Sequence, residues 1–554
     1  MKEILKKDWP FAILSIVLLV LSIISVANLK YGFFTAYDES YFLLKMQEAY
    51  DMSCVTGKSQ WNLLAAHWFP FLDLTSVVQS RLASCVLMWP TIILSTITCC
   101  IVFDKKRFIK YFALIFLVYF TTGGVMCYNP MRVAVTNWAL CSFVLFYYAK
   151  RMWTKYLWAG ICGVCLGLLC FIVIPAALAI LVCIAILICV FYWHNKKQMG
   201  LFLLSGIVGV LLSIAYVHFV VCDISEIFEA MLFTASYIGK SGYHYDGASF
   251  VLQYGFLVRD CIFALLVMVG AYWLATKTSK KWLLALIYTG LILIYLHYQV
   301  KPLAPTVIFY ASIVLIPCLF SNRLSLQALK LPNNWFYVFL FIFPFIAPFG
   351  TNGHIISAVG SYSLAWFIIY FDQERKHPAE NWNHLLFVIV IIGLIPLSNI
   401  LKDYQSRDDS HHFTRGNQYF AEIALTEKQE DYFNQVYDIL EEYNFQPKQS
   451  AVLTAGYDYC CLYAFDAVNA ANYHQVQNFH YFPKENMIKP DFVFLCKWDS
   501  IVMAKELQEM PWGWPEEFDE YFVGSPEPDD APWVIHSDLE QRKLYCRKSL
   551  RTND

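Results

Sequence analysis

Long apolar runs dominate the first 400 residues of this chain, and polar positions within them are sparse. Thirteen runs have about the 17 to 25 residues that a helix needs to cross the hydrocarbon core of a bilayer. Two of them, 157–173 and 175–193, have no charged loop between them, so we predict a tight hairpin there. The pattern predicts a polytopic α-helical membrane protein with about 13 transmembrane helices, at 10–29, 82–103, 109–126, 133–149, 157–173, 175–193, 200–221, 257–276, 282–298, 303–320, 335–349, 355–371 and 384–401.

The pattern changes at Lys402, where a polar segment rich in Asp, Glu and Tyr begins. Thr426 and Gln429 have the spacing of a capping box, which predicts a helix that runs to about Tyr443. Buried strands are predicted at 451–455 and 491–496, and a closing hairpin at 532–536 and 542–546. We therefore predict two domains: a transmembrane domain at 1–401 and a soluble extracytoplasmic α/β domain at 402–554, called the tail domain below.

Composition and charge support this organisation. The 554 residues are 58% hydrophobic and 15% charged, with mean hydropathy +0.47, which a soluble domain could not hide. The net charge of −2 gives no indication of nucleic-acid binding. Basic clusters at 105–107, 196–197 and 280–281 fall in one set of alternate loops, which the positive-inside rule places in the cytoplasm. The N-terminus is then inside and the tail domain outside, at the cytoplasmic (inner) membrane if the protein is bacterial.

The first apolar run could belong to a cleaved signal peptide. It is too long for a usual signal peptide, and no clear small-x-small cleavage site follows it, so we interpret it as a signal anchor.

Most of the 18 cysteines fall inside apolar spans, where Cys behaves as a small hydrophobic residue. Cys162 and Cys165 have redox-motif spacing but lie in the middle of a predicted span. On the outer side, disulfide bonds and plain burial are both open for Cys54, Cys460, Cys461, Cys496 and Cys546.

Two adjacent acids, Asp38 and Glu39, follow the first span and open an amphipathic stretch that reaches Asp51. Ionisable groups near a bilayer are costly and usually functional. Asp38 could cap the following helix, and Glu39 could be a first-turn acid that the helix dipole favours. Alternatively, a half-buried carboxylate has a raised pKa and can act as a general base toward an alcohol. We predict both as catalytic, with different roles because neighbouring helix residues point about 100° apart.

Four basic residues lie at the outer ends of spans: Arg81, Arg132, Arg259 and Lys301. Such side chains commonly reach out to lipid headgroups. Arg and Lys also bind phosphate, Arg through two parallel hydrogen bonds. We predict that some of these four bind a phosphate that is delivered from the lipid.

Four further residues are candidates for binding an acceptor or a sugar: His67, Tyr128, Asn129 and His354. A single outer histidine is more often a hydrogen-bonded surface group than a ligand. No pair of outer histidines has metal-ligand spacing, and the outer turn 127–132 carries no acid. We therefore expect no metal and no cofactor.

These residues together resemble the GT-C glycosyltransferases, in the branch that contains protein O-mannosyltransferases and lipid A aminoarabinose transferases. The resemblance rests on the external acid pair, on the juxtamembrane helix and on Arg81-Leu82-Ala83-Ser84 at the start of the second span. The segment 298–305, with Tyr298, Lys301, Pro302 and Pro305, is similar to a Tyr- and Pro-containing segment of that branch. In the tail domain, 490–494 and 544–547 look like its core strand and final strand.

The resemblance implies that a sugar on a polyprenyl phosphate is transferred, with inversion, to a hydroxyl of a lipid, glycan or protein acceptor. Asp38 matches the catalytic acid of the family, and Arg81 or another outer basic residue would stabilise the departing lipid phosphate. Many GT-C enzymes carry a second acid between spans three and four, which this chain lacks, so we expect a metal-independent reaction. A lipid-linked glycan polymerase or ligase and a polytopic transporter or flippase remain alternatives.

Overall fold

The computed structural model describes residues 2–31, 38–50, 60–119, 125–228, 332–349, 360–376, 411–455, 459–470, 488–495, 508, 512–524 and 542–552. Four of the predicted spans, 257–276, 282–298, 303–320 and 384–401, lie outside these residues, as does the predicted domain boundary at 401.

Each predicted span that lies at least partly in the described residues contains a helix. The chain order is α1 (Lys2–Ala27), α2 (Asp38–Tyr50), α3 (Gln60–Trp68), α4 (Val77–Val102), α5 (Phe108–Tyr119), α6 (Tyr128–Tyr148), α7 (Met152–Cys170), α8 (Ile174–Tyr192), α9 (Lys196–Tyr216) with a π-helical turn at Val217–Val221, α10 (Pro332–Ile346) and α11 (Leu364–Lys376). Three residues join α7 to α8, as the predicted hairpin requires. The first helix begins before the predicted span and departs from helical geometry at Asp8.

Five helices of the described part are long and apolar enough to cross a membrane. Each coincides with a predicted span, and the total of thirteen stays a prediction. The five are Asp8–Ala27, Val77–Val102, Met152–Cys170, Ile174–Tyr192 and Lys196–Val221.

Glycine allows α7 and α9 to pack with their backbones in contact. A Cβ atom at Gly163 would lie 2.1 Å from the carbonyl oxygen of Gly206, and one at Gly209 would lie 2.1 Å from that of Gly160. The hydroxyl of Ser205 on α9 also donates to the carbonyl oxygen of Tyr156 at 2.7 Å. Any larger residue at Gly163 or Gly209 would therefore push the two helices apart.

The tail domain is a five-stranded mixed sheet with helices. Its elements are α12 (Glu427–Glu442), β1 (Ala451–Ala455), α13 (Tyr459–Phe465), β2 (Val468–Asn469), β3 (Phe492–Leu495), β4 (Phe518–Val523) and β5 (Arg542–Arg547). The strand order is β2-β1-β3-β5-β4, with β1 parallel to β2 and β3, and β5 antiparallel to β3 and β4. Val452 pairs with Phe492, and Phe494 pairs with Leu544.

The predicted α/β character of the segment after Lys402 agrees with this sheet, and the predicted capping box at Thr426 and Gln429 is confirmed. The strands at 451–455 and within 491–496 are also as predicted. The pairing predicted for the closing hairpin is wrong, because β5 lies between β3 and β4, and β4 was not predicted. The other predicted strand of that hairpin, 532–536, lies outside the described part of the chain. Cys460, Cys461 and Cys546 are buried and form no disulfide bond among the described residues, so the structure favours plain burial for these three.

Candidate active site

The acid-bearing helix begins at Asp38 and carries Glu39 in its first turn, as the amphipathic pattern predicted. Glu39 is 7% exposed, and it accepts two hydrogen bonds from the guanidinium of Arg81: from Nε at 3.3 Å and from Nη2 at 2.8 Å. Arg81, fully buried in the second turn of α4, also donates from Nη1 to the carbonyl oxygen of Leu29 at 2.6 Å. One arginine thus ties α4 to both α2 and the end of the first span.

This ion pair gives Glu39 and Arg81 a positioning role. Removing one member of a buried ion pair leaves the other charge without compensation, at a cost of about 3 to 5 kcal/mol. Arg81 was predicted to bind phosphate; the structure places its guanidinium on Glu39 and on the Leu29 carbonyl. Glu39 is therefore held by a cation in the first turn of the helix that begins at Asp38.

Arg132, in the first turns of α6, has a different environment. It is 2% exposed, its Nη2 donates to Asn129 Oδ1 at 2.8 Å, and its guanidinium carbon lies 5.8 Å from the ring centre of Tyr128. Within the described part of the chain, its Nε and Nη1 have no hydrogen-bond acceptor. A buried cation with unpaired donors is costly and calls for an explanation, such as binding of a negatively charged group.

Other polar groups without hydrogen-bond partners among the described residues lie on the same helix as Arg132 or beside Tyr362. The hydroxyl of Tyr362 lies within hydrogen-bonding reach of the Arg132 guanidinium, although no hydrogen bond of good geometry joins them. Thr136 lies one helical turn after Arg132, and Ser363 follows Tyr362; among described residues neither hydroxyl has a partner. Asn137 fixes this arrangement by donating to the carbonyl oxygen of Ser361 at 3.3 Å. We call Arg132, Thr136, Tyr362 and Ser363 the Arg132 pocket.

An aromatic contact and a backbone hydrogen bond connect the ion pair to the Arg132 pocket. Phe42, one turn after Asp38 on α2, packs edge-on against Tyr128 with ring centres 5.8 Å apart. The backbone N–H of Met126 donates to the hydroxyl of Ser80 at 2.9 Å, which pins the chain before α6 beside Arg81. The structure thus brings together Glu39, Arg81, Tyr128, Asn129 and Arg132, which are spread over some 90 residues of sequence.

The sequence of this chain is only weakly similar to those of known proteins. No family model matches the chain. It is 24% identical over 197 residues to a galactan 5-O-arabinofuranosyltransferase of Corynebacterium glutamicum, and the match spans 33% of this chain but only 28% of that protein.

Two solved structures are similar over most of the chain. The oligosaccharyltransferase of Archaeoglobus fulgidus, in the apo form, has a TM-score of 0.46 at 14% identity over 96% of this chain and 75% of that one. ArnT from Cupriavidus metallidurans bound to undecaprenyl phosphate has a TM-score of 0.43 at 10% identity over 99% of this chain and all of that one. At this degree of similarity, the function has to be inferred from the residues of this chain.

Of the other predicted site residues, His67 is described and does not join this cluster. His67 is exposed at the end of α3, and its ring contacts that of Tyr216 on α9, with centres 5.9 Å apart. Arg259, Lys301 and His354 lie outside the described residues. Thr136, Tyr362 and Ser363 were not among the predicted site residues. Only Thr136 could have been found, because it lies four residues after Arg132 on the same helical face.

The tail domain contacts the site through the loop between α3 and α4. Asp73 in this loop accepts hydrogen bonds from the hydroxyl of Thr75 at 2.6 Å and from that of Tyr419 in the tail domain at 2.5 Å. Burial tends to raise the pKa of Asp73, but the hydrogen bonds from Thr75 and Tyr419 outweigh it and hold that pKa below its usual value. The carboxylate form of Asp73 is therefore the one that this contact favours.

Proposed function

We propose that this protein is a membrane glycosyltransferase that moves a sugar from a polyprenyl-phosphate donor to an acceptor hydroxyl on the outer face of the membrane. The observation that carries this proposal is the buried guanidinium of Arg132, whose Nε and Nη1 have no acceptor among the described residues. A phosphate oxygen would accept hydrogen bonds from both donors and would compensate the buried charge. The nearby hydroxyls of Thr136, Tyr362 and Ser363 suit a polar group attached to that phosphate.

Asp38 is the general base in this proposal. Its carboxylate would take the proton of the acceptor hydroxyl as the acceptor oxygen attacks the anomeric carbon of the sugar. The bond between that carbon and the phosphate oxygen breaks, configuration at the carbon inverts, and the electron pair leaves on the polyprenyl phosphate. Arg132 stabilises the negative charge on this leaving group. Glu39 and Arg81 hold the first turn of α2, and thereby Asp38, in place.

Binding of undecaprenyl phosphate to the full-length protein in nanodiscs tests the phosphate site. Arg132→Ala should weaken binding about 10- to 100-fold, because two hydrogen bonds to a charged group are lost. Arg132→Lys should give an intermediate loss, because the charge is kept and the paired geometry is not. Arg151→Ala is the matched control, since Arg151 is an exposed arginine at the start of α7. Unchanged binding in Arg132→Ala would move the phosphate site elsewhere, with Arg259, Lys301 and Lys240 next to test.

Transfer itself is tested in a strain that lacks the gene. Mass spectrometry of its glycolipids, surface glycans and glycoproteins should show loss of one sugar from one acceptor class and accumulation of a lipid-linked sugar. A deletion strain in which every glycan keeps its full set of sugars would contradict the proposal.

A further inference from the structure

The acid-bearing helix α2 is buried in two hydrophobic cores at once. Met46 packs in the core of the transmembrane domain. Leu43 and Leu44, both nearly fully buried, belong instead to a core cluster that includes Phe420, Tyr463 and other residues of the tail domain. The position of α2 therefore depends on both domains, and neither could be moved without exposing apolar surface of this helix.

Polar contacts of the tail domain converge on the segments that hold Glu39. The backbone N–H of Ala424 donates to the carbonyl oxygen of Lys30 at 3.1 Å, next to the Leu29 carbonyl that accepts from Arg81. The hydroxyl of Tyr463, on α13, donates to the carbonyl oxygen of Thr75 at 2.5 Å, one residue before Ser76 caps α4. The contacts thus reach the end of the first span and the start of α4.

We propose that the tail domain is a positioning element for the first turn of α2, with Tyr463 as its principal residue. Tyr463 does not touch the reacting groups in this scheme; it fixes the start of α4, which carries Arg81, while its ring supports α2 through the shared core. The effect on catalysis rests on the proposed transferase function. The coupling between the tail domain and α2 does not, and it can be measured without turnover.

Hydrogen exchange of the backbone amides at 38–50, in the full-length protein in nanodiscs, measures this coupling. Tyr463→Phe keeps the buried ring and removes only the hydrogen bond to Thr75. We expect exchange at 38–50 to become about 5- to 10-fold faster, because one buried hydrogen bond is lost and an acceptor is left unpaired. Tyr419→Phe, which removes the contact with Asp73, should give a smaller change of the same kind.

Tyr443→Phe is the matched control. Tyr443 is also a buried tyrosine of the tail domain, but its hydroxyl bonds to Asp519 and Tyr521 of β4, away from the transmembrane domain. This variant should speed exchange in the tail domain and leave 38–50 unchanged. If Tyr463→Phe leaves 38–50 unchanged, or speeds exchange equally in α6 and α7, the positioning role is wrong.

Turnover measurements add the catalytic consequence. Tyr463→Phe should lower kcat about tenfold or more, because small displacements of a catalytic group are costly, while KM for the lipid-linked donor stays the same. A rise in KM with normal kcat would place the effect on donor binding and contradict the proposal. If Tyr463→Phe speeds exchange at 38–50 but the wild-type protein transfers no sugar, the coupling between the tail domain and α2 still holds. Only the transferase function is then disproved.

Discussion

Two charge clusters, one at each end of α4, differ in how completely their described members are paired. The inner cluster consists of Arg107, Lys110, Asp372, Glu374, Arg375 and Lys376. Arg107 and Lys110 bond to Glu374 at 2.9 and 2.6 Å, and Arg375 and Lys376 bond to Asp372 at 2.7 and 2.6 Å. In the outer cluster Arg81 is paired with Glu39, but two donors of Arg132 have no acceptor in the described part.

This difference distinguishes a cluster that supports the fold from a cluster that can bind a ligand. Every charged side chain of the inner cluster has an oppositely charged partner, so this cluster can fasten α11 to α4 and α5 without a ligand. The outer cluster combines the pair of Glu39 and Arg81 with Arg132, two of whose donors have no acceptor among the described residues, as is expected of a binding site.

Asp38→Asn should abolish most transfer activity. Loss of a general base typically lowers the rate about 10²- to 10⁴-fold. The protein should still insert and fold, and its binding of undecaprenyl phosphate should stay normal, because Arg132 is intact. Turnover with purified variant in nanodiscs measures this, and near wild-type turnover would remove Asp38 from the mechanism.

Glu39→Gln should affect stability more than chemistry. It removes the Glu39 carboxylate from the fully buried charge of Arg81, at a cost of about 3 to 5 kcal/mol, whereas its loss of rate should be smaller than that of Asp38→Asn. Thermal denaturation in detergent measures the change in Tm. The double variant Glu39→Gln/Arg81→Met should regain much of the lost stability, since the buried charge of Arg81 is gone. A double variant no more stable than the single one would show that the pair is not a unit.

Asp372→Asn should destabilise the inner cluster and leave transfer unchanged per folded molecule. Asp372 is fully buried and bonds to Arg375, Lys376 and the hydroxyl of Tyr337. Because both cations are partly exposed and can be hydrated, the cost should be about 1 to 3 kcal/mol. A normal Tm combined with impaired transfer would reverse the division between the two clusters.

Chelation should have the smallest effect and leave activity largely intact. A guanidinium can neutralise the leaving phosphate without a metal ion. No group of three or more His, Cys, Asp or Glu among the described residues could hold a metal ion. Activity that EDTA abolishes and Mn²⁺ or Mg²⁺ restores would show that acids such as Asp223, Glu226 and Asp246 contribute to a metal site, and Asp38 would become a possible ligand.

Local features of the fold could be predicted from the sequence. Spans follow from runs of apolar residues, and the start of α12 follows from Thr426 and Gln429, because these signals lie within one segment. The acid-bearing helix α2 also follows from its own pattern. Strand β4 was missed because its polar residues Asp519, Glu520 and Tyr521 alternate only partly with apolar ones.

The pairing within the site could not be predicted. Glu39 and Arg81 are 42 positions apart, and Tyr463 lies 388 positions from Thr75. Which of several outer cations pairs with Glu39 depends on how helices pack, and neither apolar periodicity nor spacing contains that information. For the same reason, the sequence could not distinguish Arg81, which pairs with Glu39, from Arg132, two of whose donors lack an acceptor in the described part of the chain.

The glycine contact between α7 and α9 restricts the route by which a donor lipid could reach the site. At Gly163 and Gly209 not even a methyl group fits between the helices, because it would lie 2.1 Å from the opposite backbone. An isoprenoid chain is wider than a methyl group, so this seam is closed to it along its glycine-lined length. In the proposed reaction, the lipid tail of a polyprenyl-phosphate donor would therefore have to reach the site between other helices.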